Sequence, residues 1–316
     1  MREHIGPCLR RIALLIEAAA MAVSNRPSAE REQLEIFRAL PGELAPRDAQ
    51  DLMAYPFFSL GKSKRTKPID FRAGDVIVRV EGTTEHGIAT IWDADVLIWA
   101  ASQLIEARDA GLATSRLMVA TPYEILRFIR RGTSARDYLR LKAALDRLQS
   151  TTVATSVRQA TSRRMHRFSW INEWKELADG ADRPHGMELI LPDWFYAGVI
   201  DQTLVLTIDW TYFDLTGGIE RWLYRLVRKH AGRQPHGWRF DFRHLYAKSG
   251  SLARFSDFAL DLRRIARRQG LPGYRLTITC AANGTEWLSF VYVPQRRDVA
   301  RLIGELAKTM CPGKKL

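Results

Sequence analysis

Two runs of three helices, each closed by a β-hairpin, predict an α+β chain of two tandem winged helix-turn-helix domains. Three observations carry the prediction. The order helix, helix, helix, hairpin occurs twice. In each run a short glycine-bearing turn joins the second and third helices. The charge is also blocked: residues 121–175 hold twelve Lys/Arg against four Asp/Glu, residues 176–220 one against nine, and residues 221–275 fourteen against three. Two basic lobes around an acidic stretch suggest two polyanion-binding modules and a segment that avoids the polyanion. A merely solvated surface mixes the signs.

The 316 residues suffice for two ordinary domains, and 46% hydrophobic with 26% charged residues describes a soluble globular chain with real cores. A net charge of +13 attracts DNA, RNA or anionic membranes. The basic residues are mostly arginine, whose planar fork suits phosphates and guanine edges. Cys8, Cys280 and Cys311 are far apart with no Cys-x-x-Cys pair. That argues against a disulfide framework and a zinc site, and fits a reducing cytoplasm. No metal or cofactor is expected. The apolar run at 12–23 follows Arg10 and Arg11, is too short to span a bilayer and is broken by Glu17. It reads as an amphipathic helix in an N-terminal extension, residues 1–47.

The first winged domain is expected over 48–177. Leu97, Ala101, Leu104 and Ile105 recur at helical spacing in its first helix. Thr121-Pro122-Tyr123-Glu124 is a capping box with proline at the first helical position, and Gly132 ends that second helix. A third helix starts at Ser134 and buries Tyr138, Leu141, Leu145 and Leu148. Thr/Val-rich residues 151–157 and aromatic, alternating residues 164–171 read as the hairpin wing. Candidate DNA contacts are Arg136, Arg140, Lys142 and Arg147 on the third helix, with Arg163 and Arg164 at the hairpin.

Residues 178–205 read as an acidic linker. The second winged domain follows over 206–296. Its first helix, residues 218–230, buries Ile219, Trp222, Leu223 and Leu226, and a short helix spans 242–248 after Asp241. "SLARFSDFALDLRRIARRQG" (251–270) places Leu252, Phe255, Phe258, Ala259, Leu262, Ile265 and Ala266 on one face, and Gly270 closes it. Residues 274–280 and 287–293 form a hairpin around Asn283-Gly284. A helix fits the major groove while a wing lies along the backbone or minor groove. Ser251, Arg254, Ser256 and Asp257 would then face base edges, Arg263, Arg264, Arg267 and Arg268 phosphates, and Arg275 and Asn283 would sit on the wing. Residues 297–316 read as a C-terminal helix or tail.

Two other motifs fail. Gly61-Lys62-Ser63 ends like a P-loop, but Pro56 stands where the first glycine belongs and supplies no N–H. "GKSKR" is a basic turn. His230-Ala-Gly-Arg233 with Tyr274 downstream matches part of a tyrosine-recombinase set, a cheap match in an arginine-rich chain. A histidine at a helix C-terminus is the plainer account. Binding, not catalysis, is expected.

The carrying stretches taken together are "YPFFSLGKSKRTKPIDF" (55–71), "ATIWDADVLIWAASQL" (89–104), "ATPYEILRFIRRGTSARDYLRLKAALDRLQSTTV" (120–153), "LPDWFYAGVIDQTLVLTIDWTYFDLTGGIERWLYRLVRKHAG" (191–232) and "LYAKSGSLARFSDFALDLRRIARRQGLPGYRLTI" (245–278). Over residues 48–294 the chain resembles the plasmid replication initiator protein A family, the Rep proteins of theta-replicating bacterial plasmids. The resemblance implies binding to repeated double-stranded DNA at a plasmid origin, help in opening the duplex, and recruitment of the host replicative helicase and other replication proteins. It also implies homodimers that repress their own gene and monomers that start replication, the first winged domain contributing to dimerisation. A two-domain winged-helix transcriptional regulator shares every physical feature above. A site-specific recombinase or nickase is the reading from the enzyme class.

Overall fold

The six helices expected in the two runs form, each within a few residues of its expected bounds. The computed structural model describes residues 31, 33–159, 164–178, 184–232, 234 and 236–294. The expected helix at 12–23, most of the N-terminal extension, Arg163 and the C-terminal tail lie outside the described residues. In chain order come β1 (Ile36–Arg38), β2 (Arg47–Ala49), α1 (Gln50–Ala54), β3 (Ile69–Ala73), β4 (Val76–Glu81), α2 (Ala94–Asp109), β5 (Leu117–Ala120), α3 (Pro122–Phe128) and α4 (Ala135–Ser150). Next come β6 (Thr152–Thr155), β7 (His166–Ser169), β8 (Glu173–Ala178), β9 (Pro184–Ile190), α5 (Asp193–Ile200) and β10 (Val205–Thr207). The chain continues with α6 (Gly218–Ala231), β11 (Trp238–Asp241), α7 (Phe242–Ser249), α8 (Phe255–Arg268), β12 (Tyr274–Cys280) and β13 (Glu286–Tyr292).

Local chemistry sets the helix starts. The Thr121 hydroxyl accepts from the Glu124 amide at 3.2 Å, and the Glu124 carboxylate accepts from the Thr121 amide at 2.7 Å. Asp137 likewise accepts from the Ser134 amide and hydroxyl, and Asp241 accepts from the His244 amide.

The sheets depart from the expected wiring. Residues 152–155 and 166–169 do form an antiparallel hairpin, with Val153 opposite Phe168. This hairpin extends β3–β4 into a four-stranded sheet, order β3-β4-β6-β7, in which Val80 faces Val153. Four-residue strands bury too little alone, so their position follows from distant partners. Another hairpin, β8–β9, joins β5 in a sheet of order β1-β5-β9-β8. Later in the chain the order is β11-β13-β12. Both halves therefore run helix, strand, helix, helix, then a hairpin whose second strand pairs with that single strand. In the first half the equivalent hairpin is β8–β9, and the one expected as the wing is inserted before it.

The stretch read as an acidic linker, 178–205, is built into this core. Its β9 is an inner strand, and Trp194 on α5 stacks on Phe168 with ring centroids 4.7 Å apart. The Arg158 guanidinium lies 3.7 Å from the Trp194 ring centroid. The end of the expected N-terminal extension is also structured, since β1 runs parallel to β5 and buries Phe37.

One continuous set of buried side chains spans both halves, and two buried ion pairs cross it. On α6, Arg221 Nη1 donates to both Asp95 oxygens on α2, at 2.7 and 2.9 Å. Its Nε and Nη2 donate to the Leu215 and Phe213 carbonyls, and Arg131 adds a contact to Asp95 at 3.1 Å. One turn on, Arg225 pairs with Asp48 through two bonds of 2.6 and 3.0 Å. Burial pushes the Asp95 and Asp48 carboxyls up, and the facing guanidiniums oppose it.

The strap at 55–71 is wedged between the halves. Phe58 stacks on Trp170 at 5.0 Å, and Phe57 meets the same ring edge-on at 5.4 Å. Of the basic residues behind them, Arg65 is buried and donates to the Lys67, Pro68 and Gly250 carbonyls. Lys64 donates to the Thr84 and Glu85 carbonyls, and the Lys62 ammonium lies 5.4 Å from the Trp92 ring centroid. Gly218 is required where this strap meets α6: a Cβ there would sit 1.9 Å from the Leu60 carbonyl oxygen.

Candidate nucleic-acid interface

The candidate interface is built on α8 and its supports. Phe258, Ala259, Leu262, Ile265 and Ala266 are buried, so the opposite side of α8 is offered to solvent. Asp257 in the first turn and Arg267 and Arg268 in the last complement the helix dipole. Tyr246 on α7 packs its ring edge-on against Phe255 and Phe258 and donates its hydroxyl to the Ala253 carbonyl at 2.8 Å. Gly250, at φ +61°, makes the turn between α7 and α8, and Arg65 of the strap holds its carbonyl at 2.6 Å.

The ends of α8 differ from expectation. The helix begins at Phe255, so Leu252 lies in the turn, 55% exposed, and not on the apolar face. Gln269, not Gly270, takes the left-handed conformation, at φ +50°. Its side-chain amide donates to the Ala266 and Leu276 carbonyls and accepts from the Leu276 amide. These bonds offset the backbone cost and tie the helix end to β12.

The structure divides the arginines of α8. Arg263 makes a bidentate pair with Glu286 on β13, at 2.9 and 2.6 Å. The hydrogen bonds of this pair hold the guanidinium above and the carboxyl below their ordinary values. Arg268 bonds Glu220 on α6 at 2.7 Å. These two fasten the helix to its neighbours. Arg264 and Arg267 are exposed. The former has only a 3.4 Å contact with Asp261, and the latter has no ion pair among the described residues. Arg254, Ser256 and Asp257 are exposed at the helix start, and Arg275 is exposed on β12. Ser251 is half-buried and accepts from the Ala253 amide; Asn283 accepts from the Thr285 amide within the hairpin turn. Sequence reasoning missed Arg243, exposed on α7 with its guanidinium 4.8 Å from the Phe255 ring centroid, and Arg239, 5.0 Å from that of Trp287. Arg243 follows the Asp241 cap by two residues, which could have marked it.

In the first half α4 presents less free charge. Arg136 is exposed, Arg140 reaches back to Asp137 at 3.3 Å, and Lys142 pairs with Glu176 at 2.7 Å. Arg147, expected to face outward with Arg136 and Arg140, is a bidentate partner of Asp93 and anchors α4 to the start of α2. Arg164 is exposed just before β7. A cleft of about 700 Å³ runs between α4, the turn at 62–64 and residues 213–216.

Two members of the recombinase-like set, His230 and Tyr274, lie among the described residues. The Tyr274 ring is buried, and its hydroxyl donates to the Gly232 carbonyl at 2.9 Å. Arg233 lies outside the described residues. His230 meets Phe240 edge-on at 5.0 Å, and burial, reinforced by Lys248 and Lys229, pulls it down to about 4 from 6.5. Its folded form binds the proton more weakly than the unfolded form, so its stability contribution is present above pH 6.5 and lost as pH falls towards 4. His230→Gln is expected to lessen the acid-induced loss over that window, measured by urea midpoints at successive pH values.

Among the described residues no helix is long and apolar enough to cross a membrane, and no three His, Cys, Asp or Glu cluster as a metal site.

The sequence profile described as "Replication initiator protein A" matches residues 47–276. A candidate replication protein of Wigglesworthia glossinidia brevipalpis is 32% identical over 228 residues, which are 71% of this chain and 82% of that protein. Among solved structures, a selenomethionine form of domains 2 and 3 of RctB matches with a TM-score of 0.57 at 12% identity, over 78% of this chain and 99% of that one. A second structure of those RctB domains matches at 0.51 and 15%, over 78% and 97%. At these identities the likeness is one of fold.

Proposed function

The chain belongs to the replication initiator protein A family, and from that premise we propose that it binds repeated duplex DNA at a plasmid origin through two winged helix-turn-helix units. The carrying observation is the division of charge on α8. Arg263 and Arg268 are consumed by Glu286 and Glu220, while Arg264, Arg267, Arg254 and Ser256 remain on the side away from the core. The start of α8 enters the major groove, its later arginines meet phosphates, and β12–β13 lies along the backbone with Arg275. The α4 unit contributes Arg136 and Arg140 and carries less of the electrostatic affinity. Its weaker charge suits a share in homodimerisation. The protein acts by binding, with no cofactor. Working in the cytoplasm on plasmid DNA, it brings the host replicative helicase and other replication proteins to the opened origin.

Base contacts specify and phosphate contacts position. Arg254→Ala and Ser256→Ala are therefore expected to relax preference at defined base pairs, by about 1–3 kcal/mol for a lost bidentate contact. Selection from a randomised duplex library checks this. Unchanged preferences in both variants would remove the start of α8 from the groove.

A further inference from the structure

Two leucines stand on the outward faces of the two third helices. Leu260 on α8 is 43% exposed and Leu139 on α4 is 65% exposed. Each precedes a buried leucine by two residues, Leu262 and Leu141 respectively. At 100° per residue each therefore lies far around its helix from the core. Both belong to the second helical turn, five residues past Ser134 and six past Arg254. Leu260 has Ser256, Asp257 and Arg264 one turn away and Arg267 two turns on, and Leu139 has Arg136 one turn back and Arg140 next in sequence, all exposed.

A single exposed leucine is ordinary. Two at matching places on matching helices, each set among exposed arginines, call for a surface that is anionic overall yet apolar at one point. The arginines disfavour an apolar protein face. The major groove of DNA offers one such apolar point, the C5 methyl of thymine, between its phosphate rows.

We propose that Leu260 and Leu139 are specificity-determining residues that each pack on a thymine methyl group. This rests on the duplex-binding reading above and adds a base identity to it. The two contacts fix a thymine in the sequence read by each helix, and an arginine beside each leucine is left for a phosphate or a guanine.

The test uses the full chain and a bound duplex from the replicon that carries this gene. Each thymine is replaced in turn by 2′-deoxyuracil, which removes only the methyl. Wild-type binding, followed by fluorescence anisotropy, is expected to weaken about four-fold at one thymine per recognition helix, the change that corresponds to one buried methylene-sized group. Leu260→Ala should bind thymine and uracil equally at its own position and keep the effect at the Leu139 position; Leu139→Ala should do the reverse. Both side chains are exposed, so the variants keep the fold, which circular dichroism verifies. Wild-type binding indifferent to every replacement would overturn the inference and leave DNA binding standing. So would a Leu260→Ala protein that kept every uracil effect. If no duplex from the replicon is bound, the duplex-binding reading fails and this inference falls with it.

Discussion

Asp95→Asn is expected to destabilise the protein by about 3–5 kcal/mol, the usual cost of leaving a buried charge without its partner. The uncompensated group is Arg221, which is fully buried and faces Asp95 with two contacts below 3 Å. Its remaining bonds, to the Leu215 and Phe213 carbonyls, satisfy hydrogens but supply no counter-charge. Because Asp95 sits on α2 and Arg221 on α6, the loss falls on the junction of the two halves. Urea unfolding should show a lower midpoint and a split into two transitions as the halves uncouple. Replacing both members, Asp95→Leu with Arg221→Met, should recover much of the loss, since well-packed apolar groups often match a buried pair. Asp214→Asn is the surface control: its contact with Arg130 is solvent-exposed and should change stability by less than about 1 kcal/mol.

Arg264→Ala together with Arg267→Ala should weaken DNA binding by about one order of magnitude per arginine, the scale of a lost charged hydrogen bond. If each meets one phosphate, the slope of log affinity against log salt should flatten by about 1.8. The loss should be nearly the same on specific and unrelated duplexes, because phosphates carry no sequence. Arg263→Ala provides the contrast. It removes a clamp on Glu286, so it should loosen β12–β13 against α8 and leave the salt slope almost unchanged. A double variant with an unaltered salt dependence would mean that this side of α8 does not meet the backbone.

The helices were legible because their signals are local. Thr121-Pro122-Tyr123-Glu124 marks a helix start without reference to the rest of the chain, and the apolar spacing through Phe258, Leu262 and Ile265 marks a face. The sheets were not, because their strands are short and their partners distant. β5 is the four residues LMVA, too short for a period, and it pairs with β9 some seventy residues later. The hairpin at 152–169 was legible as a pair and misplaced as a wing, since only β3 and β4 show which sheet it joins. Charge was legible as a total and not as a division. Arg263 and Arg264 are adjacent in sequence, yet Glu286 claims one and solvent the other. Arg147 shares the outer side of α4 with Arg136, but Asp93 waits beside it on the turn before α2. Leu139 and Leu260 fall outside the apolar faces that the spacing marks, and the fold keeps both outward.

The most direct measurement is a footprint of the full chain on the origin and the upstream region of its own gene. It is run at physiological salt with competitor DNA, since non-specific affinity dominates at low salt. Protection of several regularly spaced repeats, in phase with the duplex turn of about 10.5 base pairs, is expected. Protection of one short palindrome over a promoter, with no repeat array, would contradict the initiator reading and make the chain a regulator.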